Sequence, residues 1–186
     1  MEQVTTKDSQ KSVLYREQFE IADPVGDEVL PFDTLRSIAD ELWKRRVPFK
    51  ELRVPEIEKS EDNVYLPNFH TAALTSGNVT TLLHELSHAI IAALGKTPFT
   101  ESHGPLFCYE FGMLWAEYAA MDFEVWRSRC SSKGIHVLGG RPPIKDNEKW
   151  AIPEKRNVAV RPARDAVRSD MKVGKIFTNI KLHPLA

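Results

Sequence analysis

The sequence predicts an α+β fold, and three observations carry that prediction. Residues 78–94 have helical periodicity between Asn78, a good N-cap, and Gly95, a good helix stop. A second long helical run starts near Ser102 to Pro105 and continues to about Ser131, ending before Gly134. Two apolar segments cut by prolines, "VPFKELRVPEIE" and "NVYLPNF" (63–69), are too short for helices and suit short or edge strands.

In chain order, residues 1–10 are polar and read as a frayed start. "KSVLYREQFEI" admits two readings. Val13, Tyr15, Phe19 and Ile21 share one strand parity, whereas Asp8 could cap a short helix. "DPVGDEVLPF" is rich in turn residues, and Asp33 then opens "DTLRSIADELWKRR", where Leu35, Ile38, Leu42 and Trp43 recur at helical spacing. The basic residues of its last turn suit the negative end of the helix dipole. The helix over 78–94 presents Val79, Leu82, Leu83, Leu86, Ile90 and Leu94 as a broad apolar face. "KTPFTES" is a loop, Pro105 fits the first turn of the next helix, and beyond "GIHVLGGRPP" aliphatic residues thin out while prolines recur.

A chain of 186 residues, 42% hydrophobic and 27% charged, is expected to form one domain with a core that needs no disulfide staples. The polar N-terminus and the absence of a long apolar run point away from secretion and from a membrane span. Cys108 and Cys130 form no C-x-x-C pair, and a reducing cytoplasm is the expected location. Charge is unevenly spread. Residues 1–139 hold 14 Lys/Arg against 21 Asp/Glu, and residues 140–186 hold 11 against 5, so the two stretches carry −7 and +6. Such a basic segment is either a solvated tail or a contact for DNA or an acidic partner.

The chemistry concentrates in "HELSHAII". On a helix, His84 and His88 stand one turn apart on one face and can share a metal ion. Glu85, next to the first of them, can reach a metal-bound water and take its proton as it attacks a carbonyl. A third protein ligand has to come from elsewhere. A metzincin would need Gly at 91 and His at 94, and the chain has Ile91 and Leu94. Glu110 and Glu117 are eligible on the next helix, but His103, in "ESHGPLF", is the better candidate. Eight residues beyond Gly95 span up to about 27 Å, enough for the chain to turn back to the metal. Three histidines with one open position favour a single zinc ion over other divalent metals. Glu110, Glu117 and Glu124 follow His103 at seven-residue steps on the expected long helix. Of these, Glu110 is the candidate to accept the Nδ1–H of a ligating histidine. Phe107, Phe111, Leu114, Trp115, Tyr118 and Trp126 read as core.

"HELSHAI…ESHGPLFCYEF" resembles the H-E-x-x-H…H-G-P-x-F arrangement of the SprT-like zinc metalloproteases, the group that includes the Spartan DNA–protein crosslink proteases. "KDSQKSVLY", "NVYLPNF" and "SHGPLF" are also similar to a family of small zinc metallohydrolases from mycobacteria and their phages. The resemblance covers roughly residues 7–138. It implies a zincin-like fold, with a small mixed β-sheet packed on the active-site helix and a second long helix carrying the third metal ligand. It also implies that His84, His88 and His103 bind the metal, that Glu85 is the catalytic base, and that "NVYLPNF" is the edge strand along which a peptide lies. The expected organisation is a metallohydrolase domain over 1–139 and a basic, proline-containing extension over 140–186. The expected activity is zinc-dependent peptide hydrolysis of a protein or peptide substrate. The alternative is a nucleic-acid-associated or regulatory binding protein with a structural or vestigial zinc site, whose basic 140–186 segment makes the contacts.

Overall fold

A computed structural model describes residues 10–67, 70–94 and 102–142, and all of these lie in one compact unit. Their order is α1 (Lys11–Ile21), α2 (Phe32–Arg46), β1 (Glu56–Lys59), β2 (Val64–Leu66), β3 (Thr71–Leu74), α3 (Val79–Ala93), α4 (Pro105–Ala119) and α5 (Phe123–Ser132). This is the expected α+β class with a small mixed sheet. Asp8, Gly95 with the loop that follows it, and residues 143–186 of the basic extension lie outside the described residues. Among the described residues no helix is long and apolar enough to cross a membrane.

The two readings of "KSVLYREQFEI" resolve in favour of a helix. The residues buried along α1 are Leu14, Gln18 and Ile21, a three- and four-residue spacing, while Tyr15 and Phe19 face outward. The strand parity of the apolar residues was therefore incidental. α2 opens at Phe32, puts Asp33 in its first turn and Lys44, Arg45 and Arg46 in its last, and buries Leu35, Ala39, Leu42 and Trp43.

The sheet has the order β1-β3-β2. β3 runs parallel to β1 (Glu56↔Thr71 to Lys59↔Leu74) and antiparallel to β2 (Val64↔Ala73 to Leu66↔Thr71). Every residue of the central strand β3 is buried, whereas Val64 and Leu66 of the edge strand β2 are exposed. β3 leads into α3 through a tight link. A Cβ on Gly77 would stand 1.9 Å from the Leu30 carbonyl oxygen, so only glycine allows this approach, and the Leu30 N–H donates to the Gly77 carbonyl at 2.8 Å. Asn78 then caps α3 as expected, its Oδ1 accepting from the Thr81 N–H at 2.9 Å.

α3 is buried along all but one of its 15 residues, His88 being the exception. It is the central element of the core rather than a surface helix with one apolar face. α2, the sheet and α4 pack around it.

The long helix expected from Ser102 to Ser131 is two helices. α4 stops at Ala119, Ala120 takes the left-handed conformation (φ 52°), and the Met121 N–H closes back on the Ala116 carbonyl at 3.0 Å. Asp122 then caps α5, accepting from the Glu124 N–H at 2.8 Å. The break lets α5 fold back so that Trp126 and Cys130 are fully buried against α4. Continuous helical periodicity hides such a joint, because Ala120 gives no glycine or proline signal. The expected stop does hold at the far end, where Gly134 (φ 73°) follows α5. Glu124 consequently lies on α5, exposed and paired with Arg127 at 2.8 Å, off the helix that carries Glu110 and Glu117.

The α4–α5 contact turns on Gly112. A Cβ there would stand 2.2 Å from the fully buried Trp126 indole, which also donates from Nε1 to the Cys108 carbonyl at 3.0 Å. Gly112→Ala is expected to destabilise the protein by about 1–3 kcal/mol, because neither ring nor backbone has room to yield. A lowered urea midpoint would register the change, and an unaltered midpoint would contradict this packing.

Candidate metal centre

Helix α3 and the residues leading into α4 assemble the site. α3 places His84 and His88 one turn apart, and the Gly104–Pro105 start of α4 places His103 opposite them. One ring nitrogen from each histidine falls within 4.8 Å of the other two. The Nε2 atoms of His84 and His103 are 3.2 Å apart. Two nitrogens that bind one ion tetrahedrally at roughly 2.0–2.1 Å are separated by about 3.3 Å, so this pair already stands at ligand spacing. Three histidines in this arrangement can hold a metal ion.

The protonation states suit that role. Burial, followed by the charges of His88, His103 and Lys11, holds His84 well below the usual imidazole range. Burial, reinforced by His103 and Lys11, pushes His88 down to about 3. Both rings are neutral around pH 7, and the neutral ring has the lone pair a metal needs. Phe107 walls the cluster from the core side, its ring centroid 4.8 Å from His84, 4.4 Å from His88 and 4.9 Å from His103. It belongs to the core, as expected for Phe107 and Phe111.

Glu85, 3% exposed, follows His84 on α3. Burial raises its carboxyl to about 7, and a hydrogen bond from the Tyr65 backbone N–H of β2 opposes that rise. A carboxyl poised there accepts and releases a proton with little bias near neutral pH.

α1 supplies the side chains that sequence reasoning passed over. Gln18 Oε1 lies 2.9 Å from His84 Nδ1, and because an amide oxygen only accepts, Nδ1 carries the proton. At the head of the helix, Gln10 Nε2 donates to the His103 carbonyl at 3.2 Å and the His136 carbonyl at 3.3 Å, while Gln10 Oε1 accepts from the His136 N–H. Tyr15 sets its ring 5.1 Å from His84 and 5.2 Å from His103 on the outward side. The available signal was weak. Gln10, Leu14 and Gln18 form a four-residue series, but glutamine is ordinarily a surface residue and does not announce a buried stripe.

Glu110 does not hold a ligating histidine. Its carboxylate is fully buried and takes Arg141 Nε at 2.7 Å, Arg141 Nη2 at 2.8 Å and Arg46 Nη2 at 2.9 Å. Two guanidinium groups outcompete a neutral imidazole for a buried carboxylate, and the acceptor at a histidine Nδ1 that was expected of Glu110 is supplied to His84 by Gln18. Arg46 also reaches Glu117 at 3.4 Å, and Arg141 donates to the Arg46 carbonyl at 2.8 Å. Arg141, in the segment assigned to the extension, is thus bound to the metal-site domain. His70 stands apart from the histidine cluster, between the Tyr65 hydroxyl at 2.8 Å and the Arg53 carbonyl.

Comparison of the chain with protein-family models, with curated proteins and with solved structures gives no match, so the chemistry of this site is argued from its own geometry.

Proposed function

We propose that the chain is a zinc-dependent peptidase of SprT-like type, with His84, His88 and His103 holding the ion and Glu85 acting as base. The observation that carries this reading is the cluster of three histidines together with a buried carboxyl, Glu85, on the helix turn that bears two of them. An all-imidazole donor set suits zinc, copper, iron or nickel, and three ligands with a fourth position open is the arrangement of catalytic zinc. Bound there, zinc would polarise a carbonyl and bring the pKa of a coordinated water toward about 7.

The chain's own residues account for the rest. Glu85 takes a proton from the attacking water and passes it to the leaving amine, acting first as general base and then as general acid. The Tyr65 N–H fixes the carboxylate's orientation. β2 pairs with β3 on one side only among the described residues, and Val64 and Leu66 face outward. A peptide added along that edge gains main-chain hydrogen bonds and comes to lie beside Glu85, which favours an extended polypeptide as substrate.

The test measures zinc content and casein or peptide hydrolysis by the intact chain, before and after chelation, beside His103→Ala. Chelation is expected to abolish hydrolysis and added zinc to restore it, and His103→Ala is expected to lose both zinc and activity. Full zinc retention in His103→Ala would remove that residue from the ligand set. Zinc held tightly by a wild type that hydrolyses nothing would favour the alternative, a binding protein with a structural zinc and a basic segment over 140–186.

A further inference from the structure

Along α1, Gln10, Leu14 and Gln18 form a stripe that faces inward, with exposures of 7%, 0% and 6%. Steps of four residues keep the three on one side of a helix. Packing alone would be served by three apolar residues, since a buried amide without partners costs on the order of 1–3 kcal/mol. Each amide instead meets one half of the metal cluster. Gln18 accepts from the ring of His84, and Gln10 donates to the main chain of His103 and ties it to His136.

We propose that Gln18 and Gln10 are positioning residues of the metal centre, and that α1 forms its third wall. The inference rests on the metal-site reading and extends it from the ligands to the helix that aims them. A neutral imidazole has two tautomers, and only the one protonated at Nδ1 offers a lone pair at Nε2, the atom that points at His103. The Gln18 oxygen selects that tautomer and fixes the plane of the ring. A metal-binding histidine commonly leans on a carboxylate or a backbone carbonyl, and here a side-chain amide does the same work without adding charge. Gln10 acts one covalent step further back. By holding the His103 carbonyl at the turn into α4, it sets where that ring enters the cluster. Seating of α1 and binding of the metal therefore favour each other, because metal binding draws on contacts that only a docked α1 provides.

The experiment uses the full chain and reads zinc affinity by competition with a chromophoric chelator, with the visible spectrum of the cobalt-substituted protein as a second signal. Gln18→Met keeps length and packing but removes the acceptor, and is expected to bind zinc about 10- to 100-fold more weakly. Gln18→Glu restores an acceptor and is expected to bind at least as tightly as wild type, a rescue that a purely structural glutamine would not show. Gln10→Met is expected to weaken binding as well and to shift the cobalt spectrum. Wild-type affinity in Gln18→Met, or a tenfold loss in Gln18→Glu, would overturn the assignment of Gln18. If Gln18→Met fails to fold, the Gln18→Glu comparison alone decides. Unchanged affinity and spectrum in Gln10→Met would remove Gln10. No zinc binding by the wild type would overturn the metal centre itself, whereas failure of the α1 variants alone leaves the three ligands standing.

Discussion

Replacing Glu85 by glutamine is expected to lower peptide hydrolysis by about 10²- to 10⁴-fold and to leave the zinc content unchanged. Glutamine has the same shape, and its Oε1 can keep the hydrogen bond from the Tyr65 N–H. What it lacks is a site for the proton. Since Glu85 is not one of the three clustered nitrogen donors, zinc binding and proton transfer should separate cleanly in this variant. Peptide hydrolysis at the wild-type rate by Glu85→Gln would rule out Glu85 as the base. Loss of zinc together with activity would instead make Glu85 a ligand. Zinc assay and hydrolysis on the same preparation distinguish these outcomes.

Removing the Glu110 carboxylate should have the largest effect on stability. Glu110→Ala would take the only carboxylate in contact with Arg141 among the described residues and the nearer of the two in contact with Arg46, and among the described residues Arg46 Nε already lacks a hydrogen-bond partner. Breaking a buried pair from one side costs about 3–5 kcal/mol, because the desolvated partner charge remains. Here two guanidinium groups are affected, although Glu117 still offers Arg46 a weaker contact at 3.4 Å. The expected result is a large drop in the urea midpoint. Zinc affinity of the folded fraction should be unchanged, since Glu110 touches the arginines and not the histidines. A stable Glu110→Ala with weakened zinc binding would return Glu110 to the role the sequence suggested.

The parts of the fold and site that can be read directly are those with a local signature. Asn78 caps α3 where a cap was expected, and His84, Glu85 and His88 follow from helical spacing alone. His103 is found because the metzincin positions are occupied by Ile91 and Leu94 and because the next helix begins within reach. The rest depends on tertiary contacts that leave little trace in one dimension. β3 is the strand "TAAL", short and alanine-rich, with no alternation because both of its faces are covered. The α4–α5 joint sits at Ala120, a residue that rarely adopts a positive φ, so unbroken apolar spacing reads as one helix. Gln18, and not Glu110, meets a clustered histidine for a reason beyond local spacing. Glu110 is claimed by Arg46 and Arg141, residues 64 and 31 positions away, and Gln18 reaches His84 across 66.

The near-complete enclosure of α3 bears on how such a protein can change over generations. Two of the three clustered histidines, the buried Glu85 and several core leucines share one helix, so a substitution that shifts Leu82, Leu83 or Leu86 displaces His84 and His88 beside them. Mutational drift in the interior is therefore policed twice, by folding and by the geometry of the histidine cluster. β2 is under no such double constraint. Val64 and Leu66 point outward, and they can be exchanged with little consequence for the scaffold. If the proposed peptide edge is right, diversification of what the site accepts has its open route there, along the rim, while the interior stays nearly frozen.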